Sequence, residues 1–206
     1  MGLYQRYLLP RLTHCACGSP VIEHQRRLVV PQARGQVLEI GFGSGLNLPY
    51  YRPEQVERLW ALEPSAEMRA LAAPRIAASG MAVQLLDLPG EAIPLPDHSV
   101  DCVVMTYTLC TIPDASAALA QMRRVLRPDG RMLFCEHGAA PDAGVRRWQD
   151  RLDGLWGRWA GGCHLNREML PLIESAGFRF DTVQSRYLPG TPRFAGYNTW
   201  GVACPG

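Results

Sequence analysis

Short apolar runs alternate with segments of helical periodicity along most of the chain. Five of these runs predict β-strands, at residues 36–40, 58–62, 82–86, 100–106 and 131–136. Residues 65–79 and 115–126 lie between strands and have apolar positions at helical spacing, which predicts α-helices. Strands that alternate with helices in this way are typical of βαβ units, in which helices cover both faces of a parallel sheet.

The C-terminal part continues this alternation and adds a reversal of direction. Residues 167–176 predict a helix that ends at Gly177, because glycine is the usual residue just after a helix C-terminus. Two further strands are predicted near residues 178–185 and 197–203. The glycine and prolines of residues 188–192 suit a hairpin between them, so we expect the last strand to run antiparallel.

An N-terminal arm is predicted at residues 1–35, where arginines outnumber acids. Apolar positions within residues 3–8 predict a short helix, which Pro10 is expected to end because proline disrupts a helix interior. A second helix is expected over about residues 20–30. We therefore predict two units, a helical arm or lid and a main domain at residues 36–206.

Composition and charge exclude several classes of chemistry. The chain has 206 residues and a net charge of +2, so its bulk charge does not indicate a nucleic-acid partner. All 21 basic residues are arginines, which excludes Schiff-base catalysis, a pyridoxal phosphate anchor and a Walker-type phosphate lysine. Its seven cysteines are an odd number, and no apolar run is long enough for a signal peptide or a membrane span. We therefore expect a cytoplasmic protein with mostly free thiols.

A glycine-rich loop follows the first predicted strand and indicates a nucleotide ligand. Glu39 precedes glycines at positions 41, 43 and 45, where a backbone without side chains can approach a ligand closely. A dinucleotide fingerprint would place its third glycine at position 46, which is Leu46 in this chain. Glu63 ends the second strand, where its carboxylate can accept both hydroxyls of a ribose or can simply begin the next helix.

This loop and two further segments resemble the class I methyltransferases that use S-adenosyl-L-methionine (AdoMet). Residues 39–45 match the E/D-x-G-x-G-x-G loop of that family. Residues 88–101 are similar to its acidic, proline-rich segment, and residues 123–131 to its turn before strand five. The resemblance covers about residues 36–137. It implies an α/β fold with a Rossmann-like seven-stranded sheet, an antiparallel last strand, helices on both faces, an N-terminal helical cap and AdoMet as cofactor.

Three other segments resemble a narrower methyltransferase-like group that includes animal alkyl-thiol S-methyltransferases. They are residues 108–112, 135–137 and 161–168. This resemblance implies methylation of a thiol or sulfide in a small, lipophilic acceptor. The animal relatives carry an N-terminal membrane anchor, whereas the arm of this chain is short, so we expect no stable membrane insertion. The fold often dimerises, which allows a homodimer.

The resemblance also implies where the cofactor binds. The residues expected to hold AdoMet are Glu39, Gly41, Gly43, Gly45, Asn47, Glu63, Pro64, Glu91 and Thr106. The acid and glycines of the loop are expected around the methionine part, Glu63 at the ribose, and Pro64 and Glu91 beside the adenine. Thr106 and Tyr107 are expected to border the methyl group. The wider family holds the adenine amino group with an Asp where this chain has Pro89, so another group must replace that contact.

His137, Tyr107 and Tyr7 are the candidates for assisting the reaction. A base is needed only for an acceptor such as a phenol, since a thiol with a pKa of about 8.5 is partly ionised near neutral pH. His137 follows the fifth strand, at the edge where such sheets bind ligands, but a histidine there can also bond only to backbone. Tyr7 can reach the site only if the arm covers it, and core packing is its alternative role.

No metal is expected, although one set of residues has ligand types that suit zinc. The set consists of His14, Cys15, Cys17, Cys163 and His164. Its C-x-C spacing differs from the usual spacing of zinc ligands, and a long stretch of chain separates its two halves.

Residues 143–160 predict a helix inserted after the fifth strand. Its apolar positions share one face and are Val145, Trp148, Leu152, Leu155, Trp156 and Trp159. One interpretation is a lid over the acceptor pocket, with the tryptophan face directed inward. The other is an interfacial helix that contacts a membrane and collects lipophilic acceptor. Gly154 and Gly157 weaken a free-standing helix, so we favour the lid, and in both cases we expect an apolar, aromatic pocket.

Alternatives to S-methylation stay open at this point. An O-, N- or C-methyltransferase for a lipophilic quinol or phospholipid would have the same fold and cofactor. A dinucleotide-dependent oxidoreductase is opposed by Leu46 and by the acid at Glu39. A non-catalytic AdoMet-binding module would share the loop but show no turnover.

Overall fold

Seven strands form one mixed sheet in the computed structural model, which describes residues 3–206. The strands are β1 (Gly35–Ile40), β2 (Val56–Leu62), β3 (Val83–Leu86), β4 (Val100–Thr106), β5 (Leu126–His137), β6 (Phe178–Tyr187) and β7 (Tyr197–Pro205). Their order is β3-β2-β1-β4-β5-β7-β6, and every neighbouring pair is parallel except the two formed by β7. The predicted Rossmann-like sheet and its antiparallel last strand are confirmed.

Helices cover the sheet on both faces. Within the described residues, the α-helices are α1 (Leu9–Cys17), α2 (Pro20–Val29), α3 (Ala66–Ser79), α4 (Ala115–Val125), α5 (Ala143–Trp159), α6 (Met169–Ser175) and α7 (Arg193–Gly196). A π-helical turn at Tyr4–Leu8 precedes α1, and 3₁₀ turns lie at Val30–Gln32 and Leu48–Tyr50. No helix between residues 3 and 206 is both long enough and apolar enough to cross a membrane.

The two faces of the sheet bury separate hydrophobic clusters, as the period-two alternation of strand side chains requires. On β4, Val103 and Met105 pack in one cluster with Leu119 of α4. Cys102 and Val104 pack in the opposite cluster, which also contains apolar side chains of α2 and α3. Burial on both faces therefore fixes β4 at the centre of the sheet, and the carboxyl ends of β1, β2, β4 and β5 share one edge.

Local capping signals explain where the helices after β2 and β4 begin. The Ser65 Oγ accepts a hydrogen bond from the Met68 N–H at 3.2 Å and caps α3, which Gly80 ends with φ of +66°. The Asp114 carboxylate accepts from the Ala117 N–H at 2.9 Å and caps α4. These caps fix the ends of the loops that follow β2 and β4, where the candidate site lies.

The arm is helical, but the expectation that Pro10 ends its first helix is wrong. Pro10 lies in the first turn of α1, where a backbone N–H has no helical partner and the fixed φ of proline suits the helix. A short turn separates α1, which Gly18 ends, from α2, which Pro20 begins. Val29 and Val30 are buried in the core, so α2 packs as part of the main body.

The tryptophans of α5 face outward, so the expectation of an inward tryptophan face is wrong. Trp148 and Trp159 are 58% and 62% exposed. Gln149 is the buried residue of this helix instead. Its amide hydrogen-bonds the backbone of residues 138, 140, 165 and 194. The physical reason is that buried backbone groups need partners, which a glutamine supplies and a tryptophan side chain with one donor does not.

Candidate functional site

The glycine loop at the carboxyl end of β1 has the backbone shape of a ligand cradle. Gly41, Gly43 and Gly45 have φ of +67°, +57° and +75°, a left-handed region that favours glycine. A Cβ on Gly41 would collide with the Thr108 side chain, whereas a Cβ on Gly43 would meet no side chain. The loop therefore presents bare backbone at the sheet edge, as the sequence predicts.

Glu63 ties this loop to the end of β2. Its carboxylate accepts hydrogen bonds from the backbone N–H groups of Gly43 and Ser65, both at 2.8 Å. Burial raises the pKa of Glu63, and these two hydrogen bonds oppose the rise. Each carboxylate oxygen has a further lone pair, so both can still accept from a diol. The two interpretations of Glu63, as a ligand contact and as the start of a helix, are therefore compatible.

A buried polar network lies behind the glycine loop. Glu39 accepts hydrogen bonds from Asn47 Nδ2 at 2.9 Å and from the Tyr51 hydroxyl at 2.7 Å. Asn47 Nδ2 is also 3.0 Å from Thr106 Oγ1 at the end of β4. Burial raises the pKa of Glu39 to about 7, although hydrogen bonds from Tyr51 and Asn47 oppose the rise. The structure thus brings Glu39, Asn47 and Thr106 together as a support that joins β1 to β4.

Arg26 of α2 completes this network, and the sequence analysis missed it. Its Nη1 donates to Thr106 Oγ1 at 2.8 Å and to Asn47 Oδ1. Its guanidinium carbon lies 5.7 Å from the centre of the Tyr107 ring. The Arg26 Nε is buried and has no hydrogen-bond partner within residues 3–206. The neighbouring Gln25 has both side-chain amide atoms buried without a partner in the same part of the chain.

A helical pattern in the sequence could have revealed this pair. Gln25 and Arg26 each lie four positions before a buried valine, at Val29 and Val30. Residues four apart share a helix face, so a glutamine and an arginine occupy the apolar face of α2. Polar side chains at such positions need partners in the interior, and Arg26 finds one at the carboxyl end of β4.

Tyr107 has a strained backbone directly after β4. Its φ is +55°, which is uncommon for a residue with a side chain and recurs at functional sites. Its hydroxyl accepts a hydrogen bond from the Cys135 thiol at 3.5 Å. Burial raises the pKa of Tyr107 well above its ordinary value, so its phenol keeps the proton. This geometry favours Tyr107 as a wall of the site over a role as a base.

Glu136 holds the turn that follows β4. Its buried carboxylate accepts a hydrogen bond from the Thr108 N–H at 2.8 Å. Burial raises the pKa of Glu136 to about 7, while backbone N–H groups of residues 108–110 oppose the rise. The next residue, His137, ends β5, and its Nε2 lies 3.1 Å from Cys163 Sγ. The partner of His137 is therefore a cysteine side chain, and the alternative of a histidine bonded only to backbone is wrong.

Three predicted residues lie apart from this network. Tyr7 is 55% exposed, and the Arg6 guanidinium lies over its ring. Pro64 is exposed next to the end of β2. Glu91 lies in the loop after β3 and accepts a hydrogen bond from the Asp114 N–H at 3.3 Å. Tyr7 does not contact the buried network, whereas Pro64 and Glu91 lie in loops at the carboxyl ends of β2 and β3.

The zinc ligand set considered in the sequence does not assemble. His14 Nδ1 lies 2.7 Å from Ser44 Oγ, and His164 Nδ1 lies 2.9 Å from the Asp153 carboxylate. A different group forms. Between residues 3 and 206, one set of three His, Cys, Asp or Glu side chains has all its ligand atoms within 4.8 Å of one another, namely Cys110, His137 and Cys163.

Comparisons with known proteins decide the family. A family model described as a methyltransferase domain matches residues 38–134. The human thiol S-methyltransferase TMT1B is 31% identical over 187 residues, which cover 85% of this chain and 75% of that protein. The chain belongs to the AdoMet-dependent methyltransferases. It is therefore an enzyme of that class, with AdoMet as cofactor.

Other relatives of this methyltransferase are named for more than one kind of acceptor. Human thiol S-methyltransferase TMT1A is 32% identical over 72% of this chain and 62% of its own length. A phosphatidylethanolamine N-methyltransferase of Cereibacter sphaeroides is 28% identical over 60% of this chain and 62% of its own length. The chain thus spans less than two thirds of these two proteins. The acceptor is therefore not fixed by relationship alone.

Solved structures agree with the fold. A SAM-dependent methyltransferase from Aquifex aeolicus has a TM-score of 0.61 and 20% identity, with 94% of this chain and 97% of that chain covered. A SAM-dependent methyltransferase from Leishmania major has a TM-score of 0.70 and 16% identity, with 97% and 80% covered. At these identities the likeness concerns the fold.

The site of this methyltransferase fits AdoMet on its own geometry. The left-handed glycines leave room for a ligand at Gly43, and Glu63 keeps lone pairs for the ribose hydroxyls. The unpaired donor Arg26 Nε suits the carboxylate of the methionine part. The ribose hydroxyls and the carboxylate of AdoMet thus have matching groups beside the open backbone of the glycine loop.

Proposed function

We propose that this methyltransferase transfers the methyl group of AdoMet to the sulfur of a small, lipophilic thiol or sulfide. The observation that carries the proposal is that three segments resembling the alkyl-thiol enzymes come together at one edge of the sheet. Arg167 Nη1 donates to the carbonyl oxygens of Leu109 and Ile112, and the His164 N–H donates to the Cys110 carbonyl at 2.9 Å. The segments at residues 108–112 and 161–168 are thereby bonded to each other.

The third segment joins them through His137, which contacts Cys163. Two of them lie next to Tyr107, where the methyl group is expected: residues 108–112 follow it directly, and the Cys135 thiol is 3.5 Å from its hydroxyl. Two human relatives that share about a third of the aligned residues are named thiol S-methyltransferases. This combination of relationship and placement supports a sulfur acceptor.

Cofactor binding is proposed for the residues along the ends of β1, β2 and β4. AdoMet supplies a methyl carbon that its sulfonium already activates. The backbone of the glycine loop and the Glu63 carboxylate hold the nucleoside and methionine parts. Arg26 neutralises the carboxylate of the methionine part, and Tyr107 borders the methyl group. The contribution of these residues is alignment of the reacting atoms and exclusion of water.

The acceptor thiol requires little proton transfer, which is why a strong base is not needed. A thiol with a pKa of about 8.5 is ionised to a useful extent near neutral pH, and it gives its proton to solvent. The thiolate sulfur then bonds to the methyl carbon as the carbon–sulfonium bond breaks, and that electron pair stays on the donor sulfur. His137, at the end of β5, is proposed to orient the acceptor sulfur.

The arm is proposed to cover this site. Helix α1 lies against the glycine loop, because His14 Nδ1 contacts Ser44 Oγ and Gly18 lies beside the Leu46 side chain. Helix α2 brings Arg26 into the buried network. We therefore retain the division into an arm at residues 1–35 and a methyltransferase domain at residues 36–206, with the arm as a cover that contributes an arginine.

A second candidate is methylation of nitrogen or carbon in a lipophilic acceptor. Relatives named for those activities include the phosphatidylethanolamine enzyme and a ubiquinone/menaquinone C-methyltransferase of Paraburkholderia phymatum, which is 33% identical over 49% of this chain. An amine or a quinol ring would need a base, for which His137 is the nearest candidate in the acceptor segments.

The test is turnover of isotopically methyl-labelled AdoMet against a panel of thiols, sulfide, phenols, amines and quinols, with products identified by mass spectrometry. A labelled thioether or methanethiol is expected. A labelled ether, amine or ring-methyl product would keep the enzyme class and overturn the sulfur acceptor. Product from no acceptor, with AdoMet bound in calorimetry, would favour a binding module.

A further inference from the structure

Three side chains with ligand atoms for soft metals meet at the edge of the sheet. Cys110 follows β4, His137 ends β5, and Cys163 lies between α5 and α6. Their ligand atoms all lie within 4.8 Å of one another, and His137 Nε2 is 3.1 Å from Cys163 Sγ. Tetrahedral zinc places neighbouring nitrogen and sulfur donors about 3.5–3.8 Å apart, from bonds of about 2.0–2.3 Å. Shifts of about 1 Å in the side chains would satisfy that geometry.

The backbone around these residues is held by contacts that do not involve their side chains. Carbonyl groups of the turn at residues 108–112, which contains Cys110, accept two hydrogen bonds from Arg167. The Thr108 N–H of the same turn donates to Glu136, the residue before His137. Left-handed Gly161 and Gly162, with φ of +65° and +88°, set the direction of the Cys163 loop. The arrangement therefore exists before any ion binds, which lowers the cost of assembling a metal site.

We propose that Cys110, His137 and Cys163 bind a zinc ion and leave its fourth position open to an acceptor thiolate. Two thiolates and one imidazole form a donor set typical of zinc sites that keep an open position. The Cys110 side chain is buried and the other two are half-buried, so the cluster is largely shielded by protein and still reachable from solvent.

The protonation of the cluster is compatible with an ion. In its absence, the hydrogen bond with Cys110 and burial raise the pKa of the Cys163 thiol. A bound divalent ion reverses this effect, because coordinated thiols lose their protons outright. Asn198 lies directly opposite His137 in the β5–β7 ladder and has its Oδ1 buried without a partner among the described residues. Residues in opposite positions share a sheet face, so a free acceptor lies next to the imidazole that would bind the ion.

The open position has a defined role if the acceptor is a thiol, and this part of the inference rests on the proposed function. An ion at the ends of β4 and β5 would hold the acceptor sulfur beside Tyr107, where the methyl group is expected. Coordination would lower the pKa of the acceptor thiol, which would still give its proton to solvent, so the acceptor would react as a thiolate at lower pH. The methyl transfer itself would be unchanged.

Cobalt(II) titration of the full chain tests the site without AdoMet or acceptor. The protein is reduced with a phosphine, stripped with a chelator and desalted before titration. We expect one equivalent of cobalt to produce a thiolate-to-cobalt charge-transfer band with the visible bands of four-coordinate cobalt, and zinc to remove them. Cys163→Ser should weaken zinc binding by at least about a hundredfold, as should His137→Asn. Absence of the band from the wild-type protein overturns the site.

Cysteine-matched controls separate this site from the other thiols. Cys15 and Cys204 lie outside the cluster, so Cys15→Ser and Cys204→Ser should leave the charge-transfer band unchanged. Cys110→Ser should abolish the band, and Cys163→Ser serves if the buried Cys110 variant fails to fold. Each variant is checked for AdoMet affinity and unfolding temperature without metal. Retention of the wild-type band by Cys163→Ser and His137→Asn places the cobalt elsewhere and overturns the assignment.

Addition of an alkyl thiol to the cobalt protein tests the open position. The thiol should shift the charge-transfer band, and the alcohol of equal length should not. An unchanged spectrum, or full thiol turnover by the metal-free protein, overturns the acceptor role while the proposed S-methylation stands. Failure of both metal-loaded and metal-free protein to methylate any thiol overturns the proposed function, and the cobalt spectrum then decides the metal site separately.

Discussion

Carboxylates at the ends of the strands show how single residues divide the work of this site. Each carboxylate oxygen of Glu63 accepts a hydrogen bond from a backbone N–H group and keeps a lone pair that a ligand can use. Glu39 uses both oxygens on buried side chains, Asn47 and Tyr51. Two acids that look equivalent in the sequence therefore differ in environment, because one binds the backbone of the glycine loop and the other is buried among polar side chains.

Glu63→Ala should weaken AdoMet binding, because it removes the acceptor proposed for the ribose and frees two backbone donors. A lost charged hydrogen bond corresponds to about 1–2 kcal/mol or more, which is roughly a five- to thirtyfold rise in Kd. Calorimetric titration with AdoMet measures it. Glu57→Ala, on the exposed face of β2, is the control and should bind normally. Equal affinity in both variants would remove Glu63 from the cofactor site.

Glu39 should make the stability of the protein fall as pH rises through the acidic range. Burial raises its pKa from 4.5 to about 7. Between these values the folded protein keeps the proton and the unfolded chain loses it, so the free energy of unfolding falls with rising pH. The full difference is up to about 3 kcal/mol, present below the lower pKa and lost above the higher one.

Glu39→Gln tests this dependence, because its amide cannot ionise. The variant should gain stability relative to the wild-type protein as pH rises from about 5 to about 8, measured by urea unfolding at each pH. Comparison with the wild-type protein cancels the other titrating groups. Glu57→Gln provides the exposed control. A constant difference between Glu39→Gln and wild type across that range would contradict the raised pKa.

Helices of this protein are positioned by a few polar contacts as much as by apolar faces. The apolar spacing of residues 143–160 predicts helix α5 correctly, yet its tryptophans face solvent. Apolar periodicity predicts a helix and its apolar face, but it does not predict whether that face packs against the core. Gln149 determines which face of α5 is buried, because its buried amide hydrogen-bonds the backbone of three surrounding segments.

Gln149→Leu should therefore destabilise the protein although leucine is more apolar. It leaves a buried N–H and three carbonyl groups without their partners, each worth about 1–3 kcal/mol. We expect a loss of about 3 kcal/mol or more and a fall in Tm of roughly 6–12 °C for a chain of this size. Arg147→Leu, an exposed change on the same helix, should leave the Tm within a degree or two. Similar melting of both variants in calorimetry would show that Gln149 does not hold α5.

The arm illustrates a second limit of sequence patterns at the level of elements. Proline ends or begins a helix according to whether its missing N–H falls in the interior or in the first turn, and Pro10 lies in the first turn of α1. Arg26 was not recognised because a charged residue is expected at the surface. Its contacts with Thr106 and Asn47 depend on tertiary packing, which no local pattern contains.

Removal of residues 1–18 should reduce turnover more than it reduces stability. The truncation deletes α1, which covers the glycine loop, and keeps α2 with Arg26, Val29 and Val30. Turnover should fall roughly tenfold or more because the reacting groups lose alignment and protection from water. Removal of residues 1–8 retains α1 and is the matched control. Full activity of the longer truncation, measured with labelled AdoMet, would show that α1 is dispensable.

At the scale of the whole molecule, the sheet agrees closely with the prediction from the sequence, and the acceptor side agrees less closely. Alternating runs predict the parallel strands and glycine positions predict the nucleotide loop, because these features depend on local periodicity and backbone freedom, whereas the seven-stranded sheet was implied by the family resemblance. The group of Cys110, His137 and Cys163 comes from three distant segments. The pairing of β4 with β5 and the Arg167 contacts bring them together, so spacing along the chain indicated Cys163 but neither of its two neighbours.

Cofactor binding should stabilise the whole fold, since its predicted contacts join the arm to the ends of β1, β2 and β4. At a concentration about a hundredfold above Kd, a ligand that binds only the folded state adds about 2.7 kcal/mol. For a chain of this length that corresponds to a rise in Tm of roughly 5–10 °C, measurable by differential scanning calorimetry. NADH at equal concentration is the control and should produce no shift, because Leu46 replaces the third glycine of a dinucleotide loop. Equal stabilisation by NADH, or none by AdoMet, would contradict the binding site built here from Arg26, Gly43 and Glu63, since each of those contacts exists only in the folded chain.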